Sequence, residues 1–326
     1  MQVLFSILGR AAQAAVMILI VIVLNFALIH LAPGDPAEVI AGEMGGTNAE
    51  VLAQLRAAYG LDKTFIHQLW LYMSHVLSGD LGQSFYFNAP VLSLILQRLP
   101  ATLLLVISAI LIAIVVGTLL GVMAARRPNG WVSNLITVLS LVGFSAPVFW
   151  TGILLILLFA SAIPIFPVGG MRDVARLDAG WWAGTLDVLH HLVLPASTLS
   201  IIYIAQYSRM ARASMLEVLG ADYIRTARAK GVPERLVVFK HALRNAILPI
   251  VTIVGLQFSS VLAGAVLVEA VFAWPGLGSL AYMSILRRDS PTLLGILLFS
   301  AVVVIVVNML TDLAYRLIDP RIRANS

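Results

Sequence analysis

The chain has 326 residues, 60% hydrophobic and only 11% charged, with a net charge of +5 and a mean hydropathy of +0.97. A soluble domain carries about 25% charged residues, so this chain lacks the polar surface that water demands and needs lipid as its solvent. It contains no cysteine, which excludes disulfide frameworks, Cys zinc sites and Cys nucleophiles. The positive charge does not point to nucleic acid, because the basic residues sit at the edges of apolar segments rather than on one face.

Six segments reach the roughly 20 apolar helical residues that a bilayer requires: Ala11–Leu31, Ala101–Ala125, Val132–Ala160, Leu192–Arg212, Ala246–Ala273 and Pro291–Ile318. They predict an all-α integral membrane protein with six transmembrane helices. The first is read as a retained anchor, since its apolar core exceeds the roughly 7–15 residues of a signal peptide. With both termini in the cytoplasm, 14 Lys and Arg residues fall inside and 7 outside, the asymmetry that sets orientation. The expected divisions are residues 1–31 for the N-terminal end and first helix, 32–98 for an external helical segment, 99–318 for five further helices with a cytoplasmic loop at 213–245, and 319–326 for a cytoplasmic tail.

Pro33-Gly34-Asp35-Pro36 stops the first helix at the membrane surface. Thr47-Asn48-Ala49-Glu50 then fits a capping box for a helix ending at Gly60, and a second helix is expected at about Thr64–Leu77, with Phe65, Leu69, Tyr72 and Met73 on one side. This segment reads as a helical cap on the membrane mouth, compatible with a dock for an external partner. In the third span Pro147 removes a backbone hydrogen bond, with Ser145, Phe149 and Trp150 around the break; a packed kink is favoured over a substrate path. The external loop Ser161–His191 holds Pro164, Pro167, Gly169-Gly170 and Trp181-Trp182, the tryptophans suiting an interfacial anchor more than a peptide path. Asp173, Asp178 and Asp187 have no motif context, and the adjacent His190 and His191 cannot share a helix face as a metal pair would.

No phosphate-cradling Gly-x-x-x-x-Gly-Lys-Ser/Thr occurs, and no Ser-His-Asp or paired-carboxylate site is formed. Ion coupling needs acids at mid-depth; here Glu269 and Asp312 lie near span ends, and Asn25, Gln257, Ser259-Ser260 and Asn308 are uncharged. Each of these reads first as an interhelical hydrogen bond or an interfacial position. Energy is therefore expected from a partner.

Ser208–Pro249 carries eight of the 21 Lys and Arg residues. It reads as two short helices, the first over about Ser214–Lys230. Gly231 caps it, Pro233 suits the first turn of the second, and Glu234 sits near that helix's positive end. Leu236, Phe239 and Leu243 fall on one face of the second helix. Such a hairpin either lies on anionic lipid or fills a groove on a cytoplasmic protein; the Gly-Pro hinge favours the groove.

This loop resembles the EAA loop of permease subunits of ATP-binding-cassette importers. Against the general pattern, Glu-Ala-Ala-x-x-x-Gly, nine residues, then Ile-x-Leu-Pro, only Ala227, Gly231 and Leu243 agree, and Arg225 stands where Glu is usual. Tyr223-Ile224-Arg225-Thr226-Ala227-Arg228-Ala229-Lys230-Gly231 is closer to the dipeptide, oligopeptide and nickel branch. Pro33–Pro36, Gly79-Asp80-Leu81-Gly82-Gln83-Ser84, Arg98-Leu99-Pro100-Ala101-Thr102, Gly143–Trp150 and Glu269–Gly278 agree with the same branch in order and spacing, and the long external segment is typical of the first of two unlike permeases. The resemblance implies a type I importer permease fold in a bacterial or archaeal cytoplasmic membrane. It implies a second permease, two cytoplasmic ATPases that bind ATP and Mg, and an external substrate-binding protein, with membrane lipid around the chain and no nucleic acid. It implies no catalytic site, metal or cofactor of this chain's own.

The expected ATPase-coupling residues are Tyr223, Arg225, Thr226, Ala227, Ala229, Lys230, Gly231, Val232, Pro233 and Glu234. Ser145, Pro147, Phe149, Trp150, Trp274, Pro275 and Gly276 are candidates for a pathway or gate, a tight interfacial turn being the other reading of Trp274–Gly278. The expected cargo is a dipeptide or oligopeptide; nickel chelate, glutathione or another small solute are the alternatives. Ranked below are a gradient-driven transporter using Glu269 or Asp312, and a lipid-binding scaffold.

Overall fold

A computed structural model describes residues 2–31, 53, 63–84, 86–173, 175 and 180–318. The Pro33–Pro36 turn, the capping box and its helix, and the tail 319–326 lie outside the described residues. The chain divides into two compact units, Met1–Leu99 with Leu280–Ser326, and Pro100–Ser279.

In the first unit, α1 (Gln2–Leu31) packs along α12 (Ser290–Ile318) and against α2 (Phe65–Leu77). The buried amide of Asn25 donates to Tyr72 Oη and to the Leu294 carbonyl, both at 3.0 Å. A short hairpin pairs β1 (Gln83–Ser84) with β2 (Ala89–Pro90). Its approach is set by Asp80, whose Oδ1 accepts from Gly82 N at 2.9 Å and whose Oδ2 meets His75 Nδ1 at 3.0 Å. These bonds, led by the one from Gly82, hold the Asp80 carboxyl below its ordinary range. Ser84 Oγ and Thr292 Oγ1 both donate to Oδ2 of the fully buried Asp289, at 2.5 and 2.7 Å, where the chain enters α12. The Gly79–Ser84 motif therefore positions a hydroxyl for a helix entry 205 residues away.

In the second unit, α3 (Val91–Arg126, shared across the boundary) meets α6 (Gly180–Leu219) through Gly117 and Gly121. A Cβ on Gly121 would stand 2.5 Å from Ala211 Cβ and 2.6 Å from the Ser208 carbonyl oxygen, so this Gly-x-x-x-Gly pair lets two backbones approach as small residues do in membrane helices. Leu105, Val106, Leu199, Val261, Val268 and Phe272 are buried in one core formed by α3, α6 and α10 (Leu248–Val271).

α4 (Trp131–Ser145) and α5 (Val148–Ile156, continued by a π-helical turn Leu157–Ala162) meet at 107°. The third expected span is thus a sharply broken pair rather than one kinked helix. Ala146 and Pro147 are both extended there, with Pro147 as the N-cap of α5, because proline disfavours helix in the residue before it. The fourth expected span begins earlier, at Gly180, and continues to Leu219, so the loop before it is shorter than expected and Trp181, Trp182, His190 and His191 are helical.

Among the described residues, α3, α6 and α12 are long and apolar enough to cross a bilayer, and α4 with α5 makes a fourth if the bent pair is one span. The first and fifth expected spans fall on α1 and α10, whose apolar stretches Ala12–Leu28 and Gln257–Val271 are shorter. Leu111, Val115, Leu139 and Leu297 are 49–60% exposed on these helices. Water would not tolerate so many large apolar side chains exposed along helices, and lipid or partner helices would cover them.

Candidate functional site

The basic segment folds as a hairpin built on the ends of two long helices, α3 and α6, and on the short helix that follows it. α6 ends at Leu219, not at Lys230: Gly220 and Ala221 donate their N–H groups back to Glu217 and Val218. The extended Ala221 then starts α7 (Asp222–Ala229). Its end is a Schellman motif. Gly231, at φ +75°, donates to the Arg228 carbonyl at 2.9 Å, and Val232 donates to the Ala227 carbonyl at 3.2 Å. A left-handed residue is required at that position, and glycine adopts it without strain.

Pro233 serves as the N-cap of α8 (Glu234–Leu236), one residue earlier than the expected first turn. The chain continues through a π-helical stretch, Val237–Ala242, into α9 (Leu243–Ala246) and α10. Arg228 spans the Gly-Pro turn to grip Glu234 with two bonds, Nη2 to Oε1 at 2.8 Å and Nε to Oε2 at 3.1 Å. That hydrogen bonding holds the Glu234 carboxyl below its ordinary 4.5 and raises the Arg228 guanidinium. The sequence placed Glu234 at a positive helix end but did not supply its partner six residues back.

The hairpin has its own core. Ile224, Val237, Val238 and Ala242 pack on Val122 and Ala125 from α3, Met215 from α6 and Ala246 from α9, all buried. Ser214 Oγ donates to the Ala246 carbonyl at 2.9 Å, and Asn245 Nδ2 to Tyr223 Oη at 2.7 Å. On the second helix Leu236 and Phe239, 48% and 43% exposed, face outward, with Leu243 half-buried. The expected apolar face is thus largely the outer one. Tyr223, Arg225, Thr226, Ala229, Lys230, Gly231, Pro233 and Glu234 are exposed alongside it, while Ala227 and Val232 are half-buried beneath.

A second constellation surrounds Glu269. α10 ends in another Schellman motif, with Trp274 N donating to the Glu269 carbonyl at 2.9 Å; here Ala273 occupies the left-handed position at φ +48°. The Glu269 side chain is fully buried. Its Oε1 accepts from Thr102 Oγ1 at 2.6 Å, and its Oε2 from the N–H groups of Gly278 and Ser279 at 2.7 and 3.1 Å. It therefore caps the first turn of α11 (Leu277–Leu286), where a negative charge is favoured. Thr102 also accepts from Leu277 N at 2.7 Å, and Trp274 Nε1 donates to the Ala101 carbonyl at 2.9 Å. A Cβ on Gly276 would overlap the Glu269 carboxylate. Trp274 and Gly276 are buried and Pro275 half-buried, so this segment is a buried, hydrogen-bonded turn. By contrast Ser145, Pro147, Phe149 and Trp150 are exposed, the last two by 46% and 49%. The sequence marked Glu269 as an acid near a helix end and as the start of a motif, but not as a cap; its adjacency to a Trp-Pro-Gly turn was the signal of that role.

Comparison with known proteins gives the family of the chain. Residues 117–324 match the family described as binding-protein-dependent transport system inner membrane component, and residues 3–106 match the N-terminal membrane component of the same systems. The chain is 42% identical over 316 residues to the dipeptide transport system permease protein DppB of Escherichia coli (strain K12), covering 92% of this chain and 93% of that protein. It is 38% identical over 314 residues to the protein of the same name from Alkalihalophilus pseudofirmus, covering 92% and 94%. A Brucella abortus (strain 2308) protein named for a peptide transport system permease is 41% identical over 317 residues, covering 97% and 98%. Apolar helices and these matches together make this a multi-pass membrane protein, and the chain belongs to the binding-protein-dependent transport system inner membrane component family.

Proposed function

We propose that the chain is one of two permease subunits of an ATP-driven importer, and that it carries dipeptides or oligopeptides handed over by an external binding protein. The names of its relatives support the cargo. The observation that carries the mechanism is the hairpin, whose outer face is exposed and whose inner face is packed on the ends of α3, α6 and α9. Residues exposed on one side and buried on the other suit a plug held in a partner's groove. ATP and Mg are bound by two separate cytoplasmic ATPases. Their closure moves the hairpin, and through Ile224, Met215 and Ala125 it moves the helix ends, switching the pathway between two arrangements. Six spans, both termini in the cytoplasm and the second permease complete the assembly. Ser145, Pro147, Phe149 and Trp150 would face the path or the second permease.

The test is a tagged purification in mild detergent with ATPase activity measured on the product. A second permease and ATPase subunits should co-purify, with activity stimulated by the binding protein and its peptide. A chain that purifies alone and moves solute in liposomes without ATP would refute the proposal.

A further inference from the structure

A cavity of about 220 Å³ opens between α4 and α6. Ile136, Thr137 and Ser140 line it from α4, and Ser208, Arg209 and Arg212 from α6. Its polar groups are short of partners. Ser140 and Ser208 are only 6% and 2% exposed, and among the described residues neither hydroxyl forms a hydrogen bond within the chain. Arg212 Nε is buried without an acceptor, while its Nη2 donates to the Pro128 carbonyl at 3.2 Å. The Arg209 guanidinium rests over the Phe144 ring, 4.8 Å from its centre. Among the described residues neither cation has an ion pair: α4 contains no acid, and Glu217 is five residues further along α6.

Buried polar groups are almost always hydrogen-bonded, and here an unpaired guanidinium nitrogen belongs to a residue that lines one cavity with two hydroxyls, a donor set that suits an oxyanion. We propose that this cavity holds the headgroup phosphate of an anionic phospholipid. Guanidinium matches phosphate with paired donors, and two hydroxyls add neutral ones. The volume lies below the roughly 300–1,000 Å³ of pockets that enclose drug-sized ligands, so a nucleotide does not fit but a phosphate with its chains outside does. The chains have a track, since Leu135, Val138, Leu139, Leu141 and Val142 on α4 are 46–60% exposed. Arg212 is seven residues before the end of α6 at Leu219, so the site lies toward the hairpin. It therefore faces the leaflet where basic pockets meet anionic lipid, provided the orientation under Proposed function holds.

The experiment counts lipids on the full complex by native mass spectrometry after exchange into nanodiscs of mixed phosphatidylglycerol and phosphatidylcholine. Wild type should retain phosphatidylglycerol about tenfold over phosphatidylcholine. The Arg209→Gln/Arg212→Gln variant should lose that preference, and Ser140→Ala/Ser208→Ala, which leaves the charge intact, should weaken it severalfold. The charge-matched Arg287→Gln/Arg288→Gln variant should keep it. Unchanged preference in the Arg209→Gln/Arg212→Gln variant would overturn the assignment. So would displacement of the lipid by a free dipeptide, which would give the cavity to a solute carboxylate. Lipid counts do not depend on transport, so failure here is separable from failure of the importer reading.

Discussion

Replacing Thr102 with valine tests the buried turn atom by atom. The Thr102 hydroxyl donates to Glu269 Oε1 at 2.6 Å and accepts from Leu277 N at 2.7 Å, and both side chains are 1% exposed or less. Valine keeps the shape and deletes both bonds. A hydrogen bond to a charged group contributes about 1.5–3 kcal/mol, and a buried N–H left without an acceptor costs about 1–3 kcal/mol. The extra methyl returns about 0.8 kcal/mol, so the net loss is about 3 kcal/mol. Membrane complexes generally unfold irreversibly, so the informative quantity is a rate. If the turn opens before the unfolding barrier, inactivation at a fixed temperature should accelerate about a hundredfold. Thr102→Ser keeps both bonds and loses one methyl, about 1 kcal/mol. Heating the complex in detergent and following the monodisperse fraction by size exclusion gives both rates. A valine variant as durable as wild type, or a serine variant as weak as valine, would refute the reasoning.

The hairpin and the helix contacts make further demands. Nothing lies within 4 Å of a Cβ placed on Gly231, so Gly231→Ala should cost only the left-handed strain, about 1–2 kcal/mol, and Gly231→Asn distinctly less; equal losses in limited proteolysis of the hairpin would show that conformation is not the cause. Gly121→Ala should destabilise by about 1–3 kcal/mol, because its Cβ would overlap α6, whereas Gly184→Ala, with open space around it, should stabilise by about 0.5–1 kcal/mol; thermal stability of the two variants should move in opposite directions. The Glu234 pKa is lower folded than its ordinary 4.5, so the Arg228 pair contributes at pH above that value and is lost as pH falls through the folded one. For a surface pair this is at most about 1 kcal/mol, and a spin label on the hairpin should show an acid limb of mobility that Glu234→Gln abolishes and high salt flattens.

Local chemistry made part of this legible. Gly231, Pro233 and the density of basic residues announced a capped hairpin, because a left-handed cap and a proline start are properties of single residues. Hydropathy placed α12 well and found α3 without its first ten residues, Val91–Pro100. It also missed the first dozen and last seven residues of α6 as parts of a span, because Gly180–His191 and Ala213–Leu219 mix polar residues among the apolar ones. Period-3.6 reasoning grouped Leu236, Phe239 and Leu243 on one face without saying which way it points, and nothing in the sequence marks the π-helical stretch at Val237–Ala242. The bond between Thr102 and Glu269 joins positions 167 apart, a distance that no local rule reaches. The two segments that carry it were both noticed as motifs, and the structure supplies the reason they occur together.

The chain contains no cysteine, so a single introduced thiol reports one position. Ala229→Cys on the outer face of the hairpin and Ser78→Cys beyond α2, each tested in the assembled complex with a short thiol-reactive crosslinker, give the most direct measurement. Ala229→Cys should capture an ATPase subunit, in a yield that changes when ATP is bound and hydrolysed, and Ser78→Cys should capture none. Capture of lipid or of nothing at position 229, with the ATPases still present in the complex, would contradict the role of the hairpin as the part they grip.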